Sequence, residues 1–301
     1  QRVGERIRTV VVGRRGVGER AIGVDDDRAV SGARAHGEDV AAVARQGVVV
    51  IATADGVVGI AAGSWEIASA LRQTGWYVPR IPVVVGSAVI MPATYYGGPL
   101  WQWVTSLGLI GFLAIWRLVH LLFERREDVR QTFGRTIRDF SAAAFVVIYL
   151  PLTFSFAFLL LKRPSDGAAW VCAAIVTAAI SDTAGYLVGR KLGKHKLAPG
   201  ISPKKTLEGL LASIIFGGAT AVLIVVLAIH QSIWLGLLVG ACVLVAAVFG
   251  DLSESLIKRD LGVKDMSSWL PGHGGVMDRL DSILPAVLVT FIIATLLVPA
   301  V

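Results

Sequence analysis

Residues 250–282 read GDLSESLIKRDLGVKDMSSWLPGHGGVMDRLDS. This polar stretch lies between two apolar runs, over residues 233–249 and 283–301, that are each long enough to cross a bilayer. Several of its carboxylates therefore lie at or just inside a membrane boundary. Charged side chains are costly in that position, and by default they indicate a functional site.

The acidic residues of this stretch recur at helical spacing. If the helix that begins near residue 233 continues through Lys258, then Asp251, Glu254 and Lys258 share one face, because residues three, four and seven apart do so. Asp278 and Asp281 are three apart and face the same way at the start of the last helix. Two acidic helix ends of this kind predict a site for a hard divalent cation such as Mg²⁺.

The segment between the two acidic ends favours anion binding. Residues 270–275, LPGHGG, cannot remain helical, and their glycines let backbone amides approach an anion. Four cations lie in the same stretch, namely Lys258, Arg259, Lys264 and Arg279. Acids, cations and bare backbone together predict a combined metal and phosphate site.

A second polar segment precedes the helix that is predicted to begin near residue 207. Lys204, Lys205 and Thr206 follow a turn over residues 201–203, and a helix start with nearby cations is a ready anion site. The alternative is that these lysines only set the orientation of the chain in the membrane. One lysine would serve orientation as well as two, which favours the binding role.

The order and spacing of these motifs resemble the signature of the phosphatidate cytidylyltransferase family, also called CDP-diacylglycerol synthases. The segments that carry the resemblance are residues 255–259 (SLIKR), 264–265 (KD), 270–275 (LPGHGG) and 278–281 (DRLD). Residues 181–186 (SDTAGY) and 201–209 (ISPKKTLEG) are similar to the family's other polar segment. The resemblance covers roughly the second half of the chain; the first half matches only as generic membrane helices.

The resemblance implies transfer of a cytidylyl group from CTP to phosphatidate, which gives CDP-diacylglycerol and pyrophosphate. The predicted catalytic residues are Asp251, Asp278, His273, Lys258 and Arg259. The predicted substrate-binding residues are Ser202, Lys204, Lys205, Thr206, Lys264, Gly274, Gly275 and Arg279. The predicted metal ligands are Asp251, Asp278, Asp281 and Asp182, for Mg²⁺ and a second cation with which the family is associated.

Three of these assignments compete with other readings. His273 is interpreted as a hydrogen-bond donor to the nucleotide, since a phosphate with a second pKa near ~6 needs no essential base. Asp281 and Asp182 could instead pair with Arg279 and Arg190. Aspartates at helix starts also act as caps, although this does not apply to Asp251, which arrives late in an outgoing helix.

The composition indicates an all-α polytopic membrane protein. Hydrophobic residues make up 54% of the 301 residues, and the mean hydropathy is +0.67. About eight transmembrane helices are predicted, over residues 47–71, 81–96, 99–123, 140–161, 168–188, 207–229, 233–257 and 282–301. The net charge of +7 does not indicate nucleic acid, because the basic residues cluster between apolar runs, where they suit anionic membrane lipids and phosphate substrates.

Basic connections predict the orientation of the helices. Residues 124–139, 190–206 and 258–280 hold five, six and four Lys or Arg residues and alternate with connections that are poor in them. The positive-inside tendency assigns the three basic connections to the cytoplasm. Both motif regions then meet at the cytoplasmic face of the plasma membrane, where a nucleotide can reach them.

Three regions are predicted along the chain: an arm over residues 1–46, membrane helices over 47–167, and a catalytic membrane region over 168–301. The arm carries nine Arg residues without sustained periodicity, which is typical of a solvated or disordered segment. The parity of the helices places it outside, against the positive-inside tendency. Two explanations stay open: a genuine divergent arm, and an out-of-frame reading of a GC-rich gene.

Two other functions fit parts of the pattern. A sister cytidylyltransferase acting on another lipid phosphate, such as a prenyl phosphate, would need the same metal and phosphate site. An ion-coupled transporter would also use intramembrane acids, but transporters usually show internal repeats and charges near the midplane, and this sequence has neither. A homodimer is expected by family analogy alone.

Overall fold

The computed structural model describes residues 54–123, 129–198, 202–263, 266–267 and 275–299. The arm predicted over residues 1–46 and the start of the first predicted helix lie outside these ranges. The first described helix, α1, covers residues 54–73. It is followed by α2 (Arg80–Gly97), α3 (Pro99–Phe123), α4 (Val129–Val147), α5 (Thr153–Leu161), α6 (Gly167–Leu192), α7 (Leu207–Leu227), α8 (Ile233–Asp260), α9 (Met277–Leu280) and α10 (Ile283–Leu297).

Six helical segments of the described chain are long and apolar enough to cross a membrane. They are Pro99–Phe123, Phe133–Leu161, Gly167–Leu192, Leu207–Leu227, Ile233–Asp260 and Met277–Leu297. The predicted helical chain is therefore confirmed with six candidate membrane spans, which correspond to six of the eight predicted ones. The other two predicted spans correspond to α1 and α2, which are helical but do not meet this test of length and hydropathy. In α1 the charged residues Asp55, Glu66 and Arg72 lower the hydropathy.

A two-stranded antiparallel hairpin interrupts the helices, so the prediction of an all-α chain was wrong in this detail. Strands β1 (Lys196–Ala198) and β2 (Ser202–Thr206) pair Lys196 with Thr206 and Ala198 with Ser202. The amide of Leu207 also donates to the carbonyl of His195 at 2.9 Å. This segment is polar and holds Gly193 and Pro203, which oppose a helix, so its backbone groups pair across a hairpin instead.

The span over Phe133–Leu161 contains a proline that its helix accommodates by a local change of winding. Ile148–Leu152 forms a π-helical turn around Pro151. Proline has no N–H to donate, and a wider turn is a common way to absorb the missing bond. The hydroxyl of Thr153 donates to the carbonyl of Ile148 at 2.8 Å, a side-chain hydrogen bond across this turn.

Two apolar clusters form the interior, and α10 contributes to both. One joins residues of α1–α5 with Met277, Leu284 and Val287. The other joins α5–α8 with Ala286, Ile293 and Ala294. The last helix therefore lies between the N-terminal helices and the helices that carry the two polar segments.

A buried ion pair ties α3 to α4. Asp139, with 3% of its side chain exposed, lies 2.9 Å from Arg117 and also accepts from the amide of Tyr77 at 3.1 Å. Asp139→Asn removes one charge of this buried pair and is expected to lower the free energy of unfolding by about 3–5 kcal/mol. Thermal unfolding in detergent measures the change; Asp55→Asn, at an exposed position of α1, is the matched control. An unchanged midpoint for Asp139→Asn would contradict the prediction.

Candidate active site

The acidic stripe of α8 forms as the helical spacing predicts. α8 continues to Asp260, and the Lys258 Nζ atom lies 2.9 Å from Oε2 of Glu254, one turn earlier. The same Nζ atom lies 3.0 Å from Oδ1 of Asp278 in α9. Lys258 therefore bridges two carboxylates from different helices, one of which, Glu254, is only 1% exposed.

The two polar segments of the sequence meet at a second ion pair. The Lys205 Nζ atom, on β2, lies 2.5 Å from Oδ2 of Asp251 on α8. Both side chains remain partly exposed, so they are accessible from outside the helix bundle. The hairpin between α6 and α7 thus brings a predicted substrate-binding lysine onto a predicted metal ligand.

Asp182 and Asp281 are linked through Ser282. The Ser282 hydroxyl donates to Oδ2 of Asp182 at 2.6 Å, and the Ser282 amide donates to Oδ1 of Asp281 at 2.7 Å. Asp281 is buried, whereas Arg279 is exposed and the Arg190 guanidinium donates to the hydroxyl of Tyr186 at 3.3 Å. Among the described contacts, serine rather than arginine is the partner of these two aspartates.

Close packing of α8 on the start of α10 brings the acids together. A side chain at Gly250 would collide with the backbone carbonyl of Asp281 and with the ring of Pro285. Only glycine permits this approach, and Asp251 follows it directly. The position of Gly250 therefore decides how near the α8 acids come to Asp281.

The cluster carries an excess of negative charge. It holds five acids and two lysines: Lys205 contacts Asp251, Lys258 contacts Glu254 and Asp278, and Asp182 and Asp281 accept from Ser282. Oε1 of Glu254 is buried without a hydrogen-bond partner. Within the described ranges no three of these acids already form a closed metal-binding set. Excess charge and an unsatisfied buried oxygen nevertheless suit a cation, because buried carboxylates need a partner.

Comparison with known proteins assigns the family. A profile described as the cytidylyltransferase family matches residues 37–297. The chain belongs to this family. Similar relatives, each named phosphatidate cytidylyltransferase, come from Mycobacterium bovis (36% identical, covering 77% of this chain and 76% of the relative), Mycobacterium leprae (38%, 78% and 76%) and Staphylococcus epidermidis (35%, 61% and 68%). The match extends well into the first half of the chain, further than the motif resemblance indicated.

Apart from Gly275, the remaining predicted residues fall into three groups in this cytidylyltransferase family member. Arg259 and Arg279 are exposed near the ends of α8 and α9. Thr206 is a buried helix cap, since its hydroxyl oxygen accepts from the amide of Gly209 at 3.2 Å. Lys264, His273 and Gly274, and the side chains of Ser202 and Lys204, lie outside what the structure describes.

Gly275 is a predicted substrate-binding residue that the structure does describe. It is buried, and its amide donates to Oδ2 of Asp278 at 2.7 Å. The bond holds the end of the glycine-rich segment against the acidic cluster. Asp278 thus accepts from the loop through one oxygen while its other oxygen faces Lys258.

One site residue was missed by the sequence analysis. Glu66 of α1 is 1% exposed and accepts from the amides of Val276 and Met277, at 3.0 and 2.8 Å, and from the hydroxyl of Ser267 at 2.5 Å. The available signal was a carboxylate inside the apolar run over residues 47–71. The general rule that such groups indicate function would have found it.

Proposed function

We propose that this protein transfers a cytidylyl group from CTP to phosphatidate, giving CDP-diacylglycerol and pyrophosphate for phospholipid synthesis. The observation that carries the proposal is the convergence of Lys205 with Asp251, and of Lys258 with Glu254 and Asp278, at the ends of apolar helices. This grouping of carboxylates and lysines supports a metal and phosphate type of site next to the apolar helices. The names of the relatives supply the two substrates.

The chemistry is a substitution at phosphorus. An oxygen of the phosphatidate phosphate attacks the α-phosphorus of CTP, so that a new P–O bond forms while the bond to the oxygen bridging the α- and β-phosphorus atoms breaks. Pyrophosphate leaves with that bridging oxygen. Lys258, together with Arg259, Lys264 and Arg279, offsets the charge that develops toward the leaving group, the positioning and electrostatic role that proteins play in such transfers.

Binding the two substrates is itself a large part of the task, because both are anionic and repel each other. Lys205 contacts Asp251 and is partly exposed, which supports its proposed role in binding a phosphate group. The Gly274 and Gly275 segment, with His273 as a donor, would take the nucleotide. No side chain is required to act as an essential base, since a phosphate oxygen is already anionic near neutral pH.

Magnesium is proposed as the cofactor. Asp251 and Asp278 would hold it, with Asp281 and Asp182 available for a second cation; the charge excess of the cluster and the unsatisfied Oε1 of Glu254 support this fit. When bound, Mg²⁺ supplies charge neutralisation by taking phosphate oxygens among its ligands. Lys205 contacts Asp251 and Lys258 contacts Asp278, so these lysines also orient the two carboxylates.

The proposed location is the plasma membrane, with the cluster facing the cytoplasm. The support is the pattern of basic connections, since the positive-inside tendency assigns residues 124–139, 190–206 and 258–280 to the cytoplasmic side. CTP is a cytoplasmic nucleotide, so this side is also the one that the reaction needs. A homodimer is proposed by family analogy only.

The test is product formation by detergent-purified protein given radiolabelled CTP, Mg²⁺ and either phosphatidate or a prenyl phosphate. We expect lipid-soluble label only with phosphatidate, and equimolar release of pyrophosphate. Label only with the prenyl phosphate would assign the chain to a sister reaction. Well-folded protein that labels neither lipid would overturn the proposal.

A further inference from the structure

An open groove between α2 and α3 is charged at one end and apolar along the rest. It holds about 760 Å³, which lies within the usual size of a ligand site. The charged end carries two arginines, Arg72 near the end of α1 and Arg80 at the start of α2. The wall beyond them is apolar and includes Val85, Leu109 and Phe112. The groove therefore has the layout that an amphipathic ligand requires.

The contacts that the structure describes for these two arginines are with aromatic rings, and no carboxylate is among them. Arg80 lies over Trp65, with its Cζ atom 5.4 Å from the ring centroid, and Arg72 lies over Tyr77 at 5.9 Å. Nε of Arg80 is buried without a hydrogen-bond partner. Cation–π contacts of this kind orient a guanidinium without supplying acceptors for its five N–H donors. Both side chains are therefore held in place with donors available to an anion.

The apolar part of the groove favours a phosphate that belongs to a lipid over a free anion. Guanidinium groups match the geometry of phosphate, which they bind through two parallel hydrogen bonds. Val85 lines this groove and also a second, apolar cleft that continues along α2 past Val89 and Pro92. From Arg80 to Pro92 the helix rises about 18 Å, close to the ~15 Å half-thickness of the hydrocarbon core of a bilayer. An acyl chain would cover this apolar surface, whereas a free phosphate would leave it open.

We propose that this groove binds an anionic phospholipid of the membrane, with its phosphate on Arg72 and Arg80 and one acyl chain along Val85 and Val89. Basic pockets between membrane helices are a general means of binding anionic lipid headgroups. Among the described residues that line the groove, none belongs to the acidic cluster. The lipid site is therefore additional to the proposed substrate site, and it does not depend on the proposed reaction.

The experiment titrates the detergent-purified full chain with phosphatidylglycerol or phosphatidylcholine and counts bound lipids by native mass spectrometry. We expect wild type to bind phosphatidylglycerol more tightly, because phosphatidylcholine carries no net charge. Arg72→Gln and Arg80→Gln should each lower the affinity for phosphatidylglycerol about tenfold, the effect of losing one charged hydrogen bond. Arg190→Gln removes the same charge from an exposed position of α6 and should bind as wild type does. Arg72 is exposed, so Arg72→Gln is expected to keep the wild-type unfolding midpoint, and unchanged affinity in this folded variant would overturn the proposal.

A third variant tests the apolar part of the groove without changing its charge. Val85 is 57% exposed, so the larger side chain of Val85→Trp extends into the groove rather than into the core. It should lower the affinity for phosphatidylglycerol about tenfold, the equivalent of about two buried CH₂ groups of the acyl chain. Wild-type affinity in Val85→Trp, with displacement of the lipid by inorganic phosphate, would overturn the proposal in favour of a free anion.

The same spectra report the oligomeric state of the chain. A dimer in wild type that becomes a monomer in Arg72→Gln or Val85→Trp would identify a second copy as the occupant of the groove and overturn the lipid proposal. An unchanged oligomeric state with weaker binding of phosphatidylglycerol is the expected result. None of these readouts uses label transfer, so failure of the proposed reaction and failure of the lipid site are distinguished.

Discussion

Asp278→Asn is expected to lower kcat by about 10²–10³-fold while the protein still folds, the loss that follows removal of a preorganised electrostatic group from an active site. The two oxygens of Asp278 have separate tasks: Oδ1 lies 3.0 Å from Lys258, and Oδ2 accepts from the amide of Gly275 at 2.7 Å. Asparagine keeps the shape but loses the charge, and its NH₂ group must face one of these two donors. The ion pair, the loop contact and a proposed metal ligand are therefore weakened by one change.

The measurement is steady-state label transfer at saturating phosphatidate, alongside a thermal unfolding curve. Asp260→Asn is the matched control, because it removes the same charge from an exposed position at the end of α8. We expect the control to retain wild-type kcat. A kcat for Asp278→Asn within threefold of wild type, measured on folded protein, would show that Asp278 is not a catalytic residue.

The parts of the site that lie on one helix could be predicted from the sequence. Asp251, Glu254 and Lys258 follow from helical spacing, and the contact between Lys258 and Glu254 confirms that geometry. The membrane-spanning helices were predictable for a related reason: a chain in lipid must satisfy its backbone internally, so long apolar runs become helices. Helical spacing and the lipid environment together leave few alternative structures for these residues.

Contacts between distant segments were harder to predict. Glu66 reaches Val276 across more than two hundred residues, and no local pattern specifies which loop a buried carboxylate will meet. The partner of Asp182 is Ser282 rather than Arg190, which lies about two turns further along α6, because α6 packs against α10. Such pairings depend on tertiary structure, which periodicity does not encode.

Short strands were also not predictable here. β2 carries Pro203, Lys204 and Lys205, residue types that are uncommon in strands, and it forms because its backbone pairs with β1. The hairpin matters for function, since it carries Lys205 to Asp251. The sequence analysis associated Lys205 with an anion at the start of α7; the structure adds a carboxylate contact beside it.

Lys258→Met is expected to lower the free energy of unfolding by about 3–5 kcal/mol, because removal of one partner leaves buried charge uncompensated. Lys258 is 19% exposed and is the described cation in contact with both Glu254 and Asp278. Without it, the 1% exposed Glu254 lies unpaired near a second carboxylate. The loss should be visible as a lower unfolding midpoint in detergent, together with loss of label transfer.

A second substitution separates stability from catalysis. Glu254→Gln on the Lys258→Met background removes the unpaired buried charge, so we expect most of the lost stability to return, since neutral replacements of buried ion pairs are often tolerated. Activity should not return, because the cation that offsets charge on the leaving pyrophosphate is still absent. Recovery of label transfer in the double variant would show that Lys258 serves only to neutralise Glu254. Failure of both stability and activity to recover would instead mean that Asp278, 3.0 Å from Lys258 in the wild type, is the carboxylate that most requires the lysine.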